Sequence, residues 1–321
     1  MSGATLARFV LGRLLLGALL LFGVSAVVFF GVAALPGDAA TQAAGLASPE
    51  RVQQLQSEFG LTEPAWQRYL SWWHGVVDGS FGTSLPTGQP VSELLGEPLT
   101  ASLVLGAAAG LIVLTLGTGA GIWAGVRPGS RPDRVVSTAA LLALCSPEFV
   151  LATLVIVIFA KQLNWFPSVS LVPVGGTVLT DPSILVLPAV SLGIYAAGAM
   201  ARLVRAAVRV AYEQPHVEAA VLAGIHPRLI VWRHVLPSAW GPIAQVSAQF
   251  LPYVLGGAVV VERVFGYPGV GSLLVDRVAA RDEATVLTIV MLLSTLTVLG
   301  YVAADVCSHY FDRRAVGRAQ V

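Results

Sequence analysis

The chain has 321 residues, of which 55% are hydrophobic and only 12% are charged, and its formal net charge is +1. Soluble domains carry about a quarter charged residues, so this composition, with a mean hydropathy of +0.76, predicts a protein that lipid solvates. The net charge close to zero gives no basis for general affinity for nucleic acid. The composition therefore indicates an integral membrane protein.

Six stretches are long and apolar enough to cross a bilayer, which takes about 20 such residues. Each is expected to form a transmembrane helix, so the predicted fold class is an all-α bundle of six spans. The first apolar run exceeds the length usual for a cleaved signal peptide, and we expect it to remain as a span. The predicted spans are Leu14–Leu35, Ala101–Val126, Val135–Phe159, Ile184–Met200, Ala239–Val261 and Ala284–Val306.

Arginines mark one side of the predicted bundle. They precede the first span, follow the sixth, and occupy the connections between spans two and three and between spans four and five. Basic residues favour the cytoplasmic side, so both termini are predicted to be cytoplasmic. These residues are Arg8, Arg13, Arg127, Arg131, Arg134, Arg202, Arg205, Arg209, Arg228, Arg233, Arg313, Arg314 and Arg318.

The external segment between the first two spans is polar and rich in glycine and proline. Its pattern predicts short helices over Pro49–Phe59 and Pro64–Val77. Three tryptophans are expected to anchor it at the membrane surface, namely Trp66, Trp72 and Trp73.

The predicted spans and loops divide the chain into three consecutive parts. Residues 1–35 hold the N-terminus and the first span, and residues 36–98 form the external segment. Residues 99–321 form a five-helix core that contains a cytoplasmic loop over residues 211–237.

That cytoplasmic loop predicts two helices separated by a glycine. Pro215 can start the first helix, because its missing N–H would be unpaired there anyway. Gly224 permits a backbone conformation that other residues resist. A second helix is predicted over residues 225–235, with Pro237 stopping it. A compact helical elbow of this kind suits insertion into a groove on another protein.

The spacing of this loop resembles the "EAA" loop of bacterial ABC importer permeases. Glu218-Ala219-Ala220, Gly224 and Leu236-Pro237 carry the resemblance, which implies a coupling helix seated in a cleft of an ATPase subunit. His234 departs from the general motif, and Val221 and Ala223 stand where many relatives have basic residues. The implied coupling residues are Glu218, Ala219, Ala220, Gly224, Ile225, His226, Arg228, Arg233, Leu236 and Pro237.

Further segments resemble the dipeptide, oligopeptide and nickel branch of these permeases. They cover nearly the whole chain, and the long first external segment is similar to that of the first, "B"-type, subunit. The matching segments are Leu35-Pro36-Gly37-Asp38, Phe59-Gly60-Leu61, Asp78 to Ser84, Ser146-Pro147-Glu148-Phe149, Trp165-Phe166-Pro167 and Val260 to Gly271.

The resemblance implies a type I importer permease that moves di- or oligopeptides across the bacterial cytoplasmic membrane by alternating access. Its implied partners are a second homologous permease, two ATPase subunits and an external solute-binding protein. The sequence has no Walker phosphate loop, so ATP and Mg²⁺ are expected on the partner subunits and no cofactor on this chain. No catalytic arrangement or metal cluster stands at credible spacing, so neither an enzyme nor a metal site is predicted.

Polar residues inside the spans are candidates for the translocation pathway, because burying them in lipid is costly. Glu148 follows Pro147, and it could line the pathway or bond to a neighbouring helix. Neutral polar residues of span five are the other candidates: Gln245, Ser247 and Gln249. The glycines of span two are expected to permit close helix packing instead: Gly106, Gly110, Gly117, Gly119, Gly121 and Gly125.

Three alternatives stay open. Within the family, the cargo could be a nickel chelate or glutathione. An ion-driven secondary transporter would need charged relay residues deep in several spans, for which Glu148 is the sole support. An intramembrane enzyme would need a catalytic pair at membrane depth, and the sequence offers none.

Overall fold

The computed structural model describes residues 3–45, 48–173, 175–256 and 258–318. Regular structure in these ranges is helical, apart from one isolated bridge between Thr83 and Pro90. The helices are α1 (Gly3–Ala33), α2 (Ala39–Ala44), α3 (Pro49–Glu58), α4 (Ala65–Val77), α5 (Val91–Ile112), α6 (Thr118–Gly125), α7 (Arg131–Cys145), α8 (Glu148–Val155), α9 (Ser183–Tyr212), α10 (Pro215–Leu222), α11 (Pro227–Ile230), α12 (Leu236–Gly256), α13 (Ala258–Phe265), α14 (Val270–Ala279) and α15 (Glu283–Arg318).

Wider π-helical turns extend three of these helices. Val113–Gly117 joins α5 to α6, Ile156–Gln162 continues α8, and Val231–Val235 joins α11 to α12. Within the described residues, four unbroken apolar segments are long enough to cross a membrane, or up to six segments if two bent helix pairs each count as one. The unbroken segments are Val10–Ala33, Val91–Gly125, Ser183–Tyr212 and Glu283–Val306.

These four segments confirm the first, second, fourth and sixth predicted spans as helices. The described residues of the fifth predicted span, Ala239–Val261, belong to α12 and α13 and are helical. One bent pair is α7 with the extended α8, at 110°, and the other is α13 with α14.

The third predicted span is wrong as one continuous helix, because the chain turns sharply at Ser146-Pro147. Ser146 ends α7 with an extended backbone (φ −91°, ψ 130°), and Pro147 is extended too (φ −58°, ψ 143°). A proline ring disfavours helical geometry in the residue before it. Glu148 therefore begins a new helix inside the apolar stretch.

Contacts divide the chain into two compact units. One consists of Met1–Ser102 with Pro268–Leu296, and the other of Leu103–Tyr267 with Thr297–Val321. The predicted three-part organisation follows chain order rather than contacts, so it stays a prediction.

The first unit has an aromatic core around α1 and α4. Phe29, Tyr69, Trp72 and Leu287 are buried together, and the Tyr69 hydroxyl lies 2.7 Å from the hydroxyl of Ser25. Trp72 is thus a core residue with 9% of its surface exposed, and its prediction as a surface anchor is wrong. The spacing of α4 places Trp72 three residues after Tyr69, on the same helix face.

A buried carboxylate fixes a second region of this unit. Asp282, which is fully buried, accepts hydrogen bonds from the hydroxyls of Ser84 at 2.6 Å and Thr285 at 2.7 Å. Arg277 adds a guanidinium nitrogen 4.0 Å away. These bonds hold the external segment to the start of α15.

The second unit is organised around α9, which α6, α7, α8 and α12 contact. Its contact with α6 is close because glycines occupy one ridge of the α5–α6 helix. A methyl group added at any of these glycines would lie less than 3.0 Å from a side chain of α9. The opposed pairs are Gly117 with Met200, Gly121 with Val204, and Gly125 with Val208.

Candidate functional site

The loop between α9 and α12 forms a helical elbow, here defined as residues 213–237. Its first helix, α10, ends in a paired hydrogen-bond motif in which Gly224 N–H donates to Val221 O at 3.0 Å and Ile225 N–H to Ala220 O at 3.2 Å. This pattern requires a left-handed residue after the helix, and Gly224 supplies it with φ +71°. The predicted glycine break is confirmed in its geometry.

The two sides of α10 differ in burial. Val217 and Ala220 are buried, whereas Glu218 and Ala219 are exposed. The glutamate of the motif therefore faces outward, and one of its alanines packs inward. The exposed side of α10 therefore combines a carboxylate, a small alanine and the apolar side chains of Val221 and Leu222.

The second half of the elbow begins at His226, whose ring nitrogen accepts a hydrogen bond from the Arg228 N–H at 3.3 Å. Ile230 is buried, and the charged heads of Arg228 and Arg233 lie on exposed residues. Leu236 is buried, and the adjacent Pro237 is exposed.

Pro237 does not stop this helix, so that prediction is wrong. The π-helical turn over Val231–Val235 runs directly into α12, where Pro237 is the second residue. A proline is tolerated in the first turn of an α-helix, and a π turn is a common local adjustment to an interrupted helical bonding pattern. The elbow is consequently joined to α12 without a break.

The elbow itself carries several exposed apolar side chains. Leu222 is 81% exposed and Trp232 is 69% exposed, and Val221 and Leu229 are exposed as well. Leucine and tryptophan at such exposure, in a segment predicted to lie outside the membrane, are typical of a protein-binding surface. We call these four residues and the exposed side of α10 the elbow surface.

His216 holds the two halves of the elbow together, a role that the sequence pattern does not indicate. Its Nε2 lies 3.3 Å from the carbonyl oxygen of His234 and 3.4 Å from the hydroxyl of Ser238. The ring centroids of His216 and His234 are 6.4 Å apart. The start of α10 is thereby fixed against the start of α12.

An ion pair joins α7 to α9. The guanidinium of Arg205 binds both carboxylate oxygens of Asp133, one through Nε and the other through Nη2 at 3.0 Å. Asp133 is buried and also accepts from the Gly129 N–H at 2.8 Å. Arg205 is thus a helix-pairing residue, whereas the sequence singled it out only as one of the arginines that mark one side of the bundle.

We expect Arg205→Ala to destabilise the protein more than Arg209→Ala. Arg205 leaves a buried carboxylate without its cation, which costs about 2 kcal/mol. Arg209 pairs with Glu213 at 3.2 Å between exposed side chains, and such pairs contribute about 0.5 kcal/mol or less. The melting temperature of the purified protein should fall by about 4 °C for the first variant and hardly change for the second. Equal losses would contradict the assignment.

The pathway candidates occupy different surroundings. Glu148 accepts a hydrogen bond from the Tyr253 hydroxyl of α12, which confirms the bond to a neighbouring helix. The Ser247 hydroxyl donates to the Ile243 carbonyl of its own helix at 2.8 Å, and Gln245 is half-buried. The side chain of Gln249 lies outside the described residues. No hydrogen bond among the described side chains joins Glu148, Gln245 and Ser247 to one another.

Comparison with known sequences matches two family models that together cover most of this chain. The model described as "Binding-protein-dependent transport system inner membrane component" matches residues 117–317. The N-terminal model of the same transport systems matches residues 6–101. The whole elbow lies in the first match.

Similar curated proteins are named as transporter permeases. A probable peptide ABC transporter permease of Sinorhizobium fredii is 30% identical over 95% of this chain and 98% of its own length. The oligopeptide permease AppB of Bacillus subtilis is 28% identical over 96% and 99%. The glutathione permease GsiC of Escherichia coli K12 is 31% identical over 93% and 95%.

A solved structure shows the same fold. A chain of the inward-facing MetNI methionine ABC transporter aligns with a TM-score of 0.55 and 22% identity. The alignment covers 68% of this chain and 97% of that chain.

Proposed function

Because this chain belongs to the family of binding-protein-dependent transport system inner membrane components, we propose that it is the permease subunit of an importer for di- or oligopeptides. The observation that carries the proposal is the match over nearly the whole chain to permeases named for peptide and oligopeptide transport. The family places the chain in the bacterial inner membrane as a multi-pass component, and ATP hydrolysis lies in separate subunits.

The elbow surface would dock into an ATPase subunit. Its exposed apolar side chains support this role, because docking would remove them from water. The sequence at Val221 and Ala223 makes the contact less dependent on charge than in relatives with basic residues there. Most of the coupling residues proposed from the motif are exposed and so would be available to a partner: Glu218, Ala219, Gly224, His226, Arg228, Arg233 and Pro237.

The connections of the elbow suggest how ATPase movement reaches the membrane. Only two residues separate α9 from α10, and α11 continues through its π turn into α12. The long helices α9 and α12 also contact each other. A displacement of the elbow would therefore be transmitted to both helices, which is what alternating access requires of a coupling segment.

The full transporter would contain a second homologous permease, two ATPase subunits and an external solute-binding protein. ATP and Mg²⁺ would bind the ATPase subunits, and this chain would hold no cofactor. The solute-binding protein would deliver the cargo to the outward-facing cavity. Both termini of this chain would be cytoplasmic.

Glutathione is a second candidate cargo. The glutathione permease of E. coli is as similar to this chain as the peptide permease of S. fredii. Glutathione is itself a small peptide, so one pathway chemistry would serve both. Uptake measurements with the cognate binding protein would separate the two cargoes.

Paired cysteine substitutions test the docking surface and the orientation. In a Cys145→Ser, Cys307→Ser background, His226→Cys should crosslink to an ATPase subunit, since His226 is exposed on the elbow. Ser80→Cys, exposed in the external segment, should react with a membrane-impermeant maleimide added outside intact cells. Labelling of His226→Cys from outside, or crosslinking of Ser80→Cys to the ATPase, would overturn both assignments.

A further inference from the structure

The break in the third span delivers a carboxylate to the interior of the second unit. The chain bends by 110° between α7 and the extended α8, and Glu148 is the first residue after the break. Without the break, this residue would lie in the middle of an apolar helix. An ionisable group at such a place is costly, and the sharp turn before Glu148 gives it a position that a straight helix would not.

Glu148 has one fixed partner and no fixed counterion. Tyr253 donates its hydroxyl hydrogen to one carboxylate oxygen. In the part of the chain that the structure describes, no arginine, lysine or histidine forms an ion pair with this carboxylate. A carboxylate offers about four acceptor positions on two oxygens, so most of its hydrogen-bonding capacity is open.

The tyrosine that bonds to this carboxylate packs against two further aromatic rings, one of them on another helix. The ring of Tyr253 stacks on that of Tyr195 in α9, with centroids 5.7 Å apart and planes 24° apart. Phe250 approaches Tyr253 edge-on at 6.4 Å. All three rings and Glu148 are only half-buried, so the group is accessible rather than sealed in the core.

We propose that Glu148, Tyr253 and Tyr195 form a site for the protonated amino group of the cargo. The ligand class is a primary ammonium, which carries three N–H donors and one positive charge. The open carboxylate oxygens accept those donors, and the tyrosine faces attract the cation through their π-systems. The site rests on the proposed function, because a free amino terminus is the cation that unmodified peptides share.

Other ligands fit this arrangement less well. The carboxylate would repel the carboxyl end of a peptide. A divalent metal ion needs several more oxygen or nitrogen ligands, and the described residues hold no group of three His, Cys, Asp or Glu side chains suited to one. A single carboxylate with stacked aromatic rings is a binding arrangement for an organic cation.

Binding of two matched tripeptides tests the site. The complex, purified with its partner subunits into nanodiscs and without the binding protein, would be titrated with trialanine and with N-acetyl-trialanine by saturation-transfer NMR. We expect Glu148→Gln to raise the Kd for trialanine about tenfold, the effect of losing one partly desolvated ion pair. N-acetyl-trialanine should bind the unaltered complex about as weakly as trialanine binds the variant, and Glu148→Gln should not change its Kd.

Control variants separate binding from folding. Glutamine can still accept the Tyr253 hydroxyl, so Glu148→Gln keeps the helix contact, and Glu148→Asp should recover part of the affinity. Tyr195→Leu should weaken trialanine binding, whereas Tyr301→Phe, at an exposed tyrosine of α15, should leave it unchanged. The site would be overturned if the two peptides bound the unaltered complex with equal Kd values. It would also be overturned if trialanine bound Glu148→Gln with the same Kd as the unaltered complex.

Uptake distinguishes this inference from the proposed function. Proteoliposomes that contain the complex, the binding protein and ATP would be tested for accumulation of radiolabelled peptides. Peptide uptake with no effect of Glu148→Gln on trialanine binding contradicts the site alone. Absence of peptide uptake by the unaltered complex contradicts the proposed function, and absence of trialanine binding to it at millimolar concentration contradicts the site.

Discussion

Replacing Gly224 with valine is expected to reduce ATP-dependent uptake at least tenfold while the chain still inserts into the membrane. Gly224 has φ +71°, and a left-handed backbone costs an L-residue about 1–2 kcal/mol, more when the side chain branches at Cβ. The valine would relieve that strain by moving the end of α10 and the segment that follows it. We therefore expect ATPase activity that no longer responds to cargo-loaded binding protein.

The control for this variant is Gly224→Asn. Asparagine adopts the left-handed region more readily than other non-glycine residues, so its uptake should stay close to normal. Apart from its chain neighbours, no described residue has an atom within 4 Å of a methyl group placed on Gly224, so the valine acts through backbone conformation rather than through a clash. Normal uptake by Gly224→Val would contradict the coupling role of the elbow.

Hydropathy predicts the membrane helices because a span must satisfy its own backbone bonds in lipid. That argument identifies apolar segments, and it locates the first, second, fourth and sixth spans. It does not say where an apolar segment bends. The break at Ser146-Pro147 depends on a local conflict between the proline ring and the preceding residue, which a proline inside an apolar run signals without giving an angle.

In the elbow too, the sequence pattern predicts local backbone geometry but not the contacts between distant residues. Gly224 was predictable, because a left-handed helix end has few alternatives to glycine. The passage of the helix through Pro237 was not, since it depends on a π turn whose wider bonding pattern leaves no mark in composition. His216 was missed for a related reason. Its partners, His234 and Ser238, are 18 and 22 residues away, and a loop pattern does not specify such contacts.

Charged residues in the spans could be located but not paired. The sequence singles out Glu148 as costly in lipid and Arg205 as one of several basic residues. Their partners, Tyr253 and Asp133, lie 105 and 72 residues away along the chain. These pairs follow from helix packing, and helix packing in a membrane depends on which small residues face each other. The glycines of the second span show how specific that requirement is.

We expect Gly121→Ala to impair folding and assembly, whereas Gly119→Ala should be tolerated. A methyl group on Gly121 would lie 2.7 Å from the Ala201 carbonyl oxygen and 2.7 Å from the Val204 Cβ atom. Both are too close for carbon, and a backbone carbonyl cannot rotate away, so α6 and α9 must separate. Overpacking of this kind costs about 1–3 kcal/mol. At Gly119, the same methyl group meets no described atom within 4 Å beyond its own stretch of helix.

The three glycines of the ridge should destabilise the helix contact additively when they are substituted together. Gly117, Gly121 and Gly125 recur every four residues and oppose Met200, Val204 and Val208, which recur at the same interval and are fully buried.

Changing all three glycines to alanine should leave little complex in the membrane fraction, measured by size-exclusion chromatography after co-purification with the ATPase subunits. Gly119→Ala with Gly110→Ala is the control, because beyond its own stretch of helix neither position has a described atom within 4 Å of the added group. Helix propensity favours alanine over glycine by about 1 kcal/mol at every one of these positions. A loss confined to the ridge would therefore have to come from interhelical distance, and equal yields of the two multiple variants would show that α6 and α9 do not need this close approach.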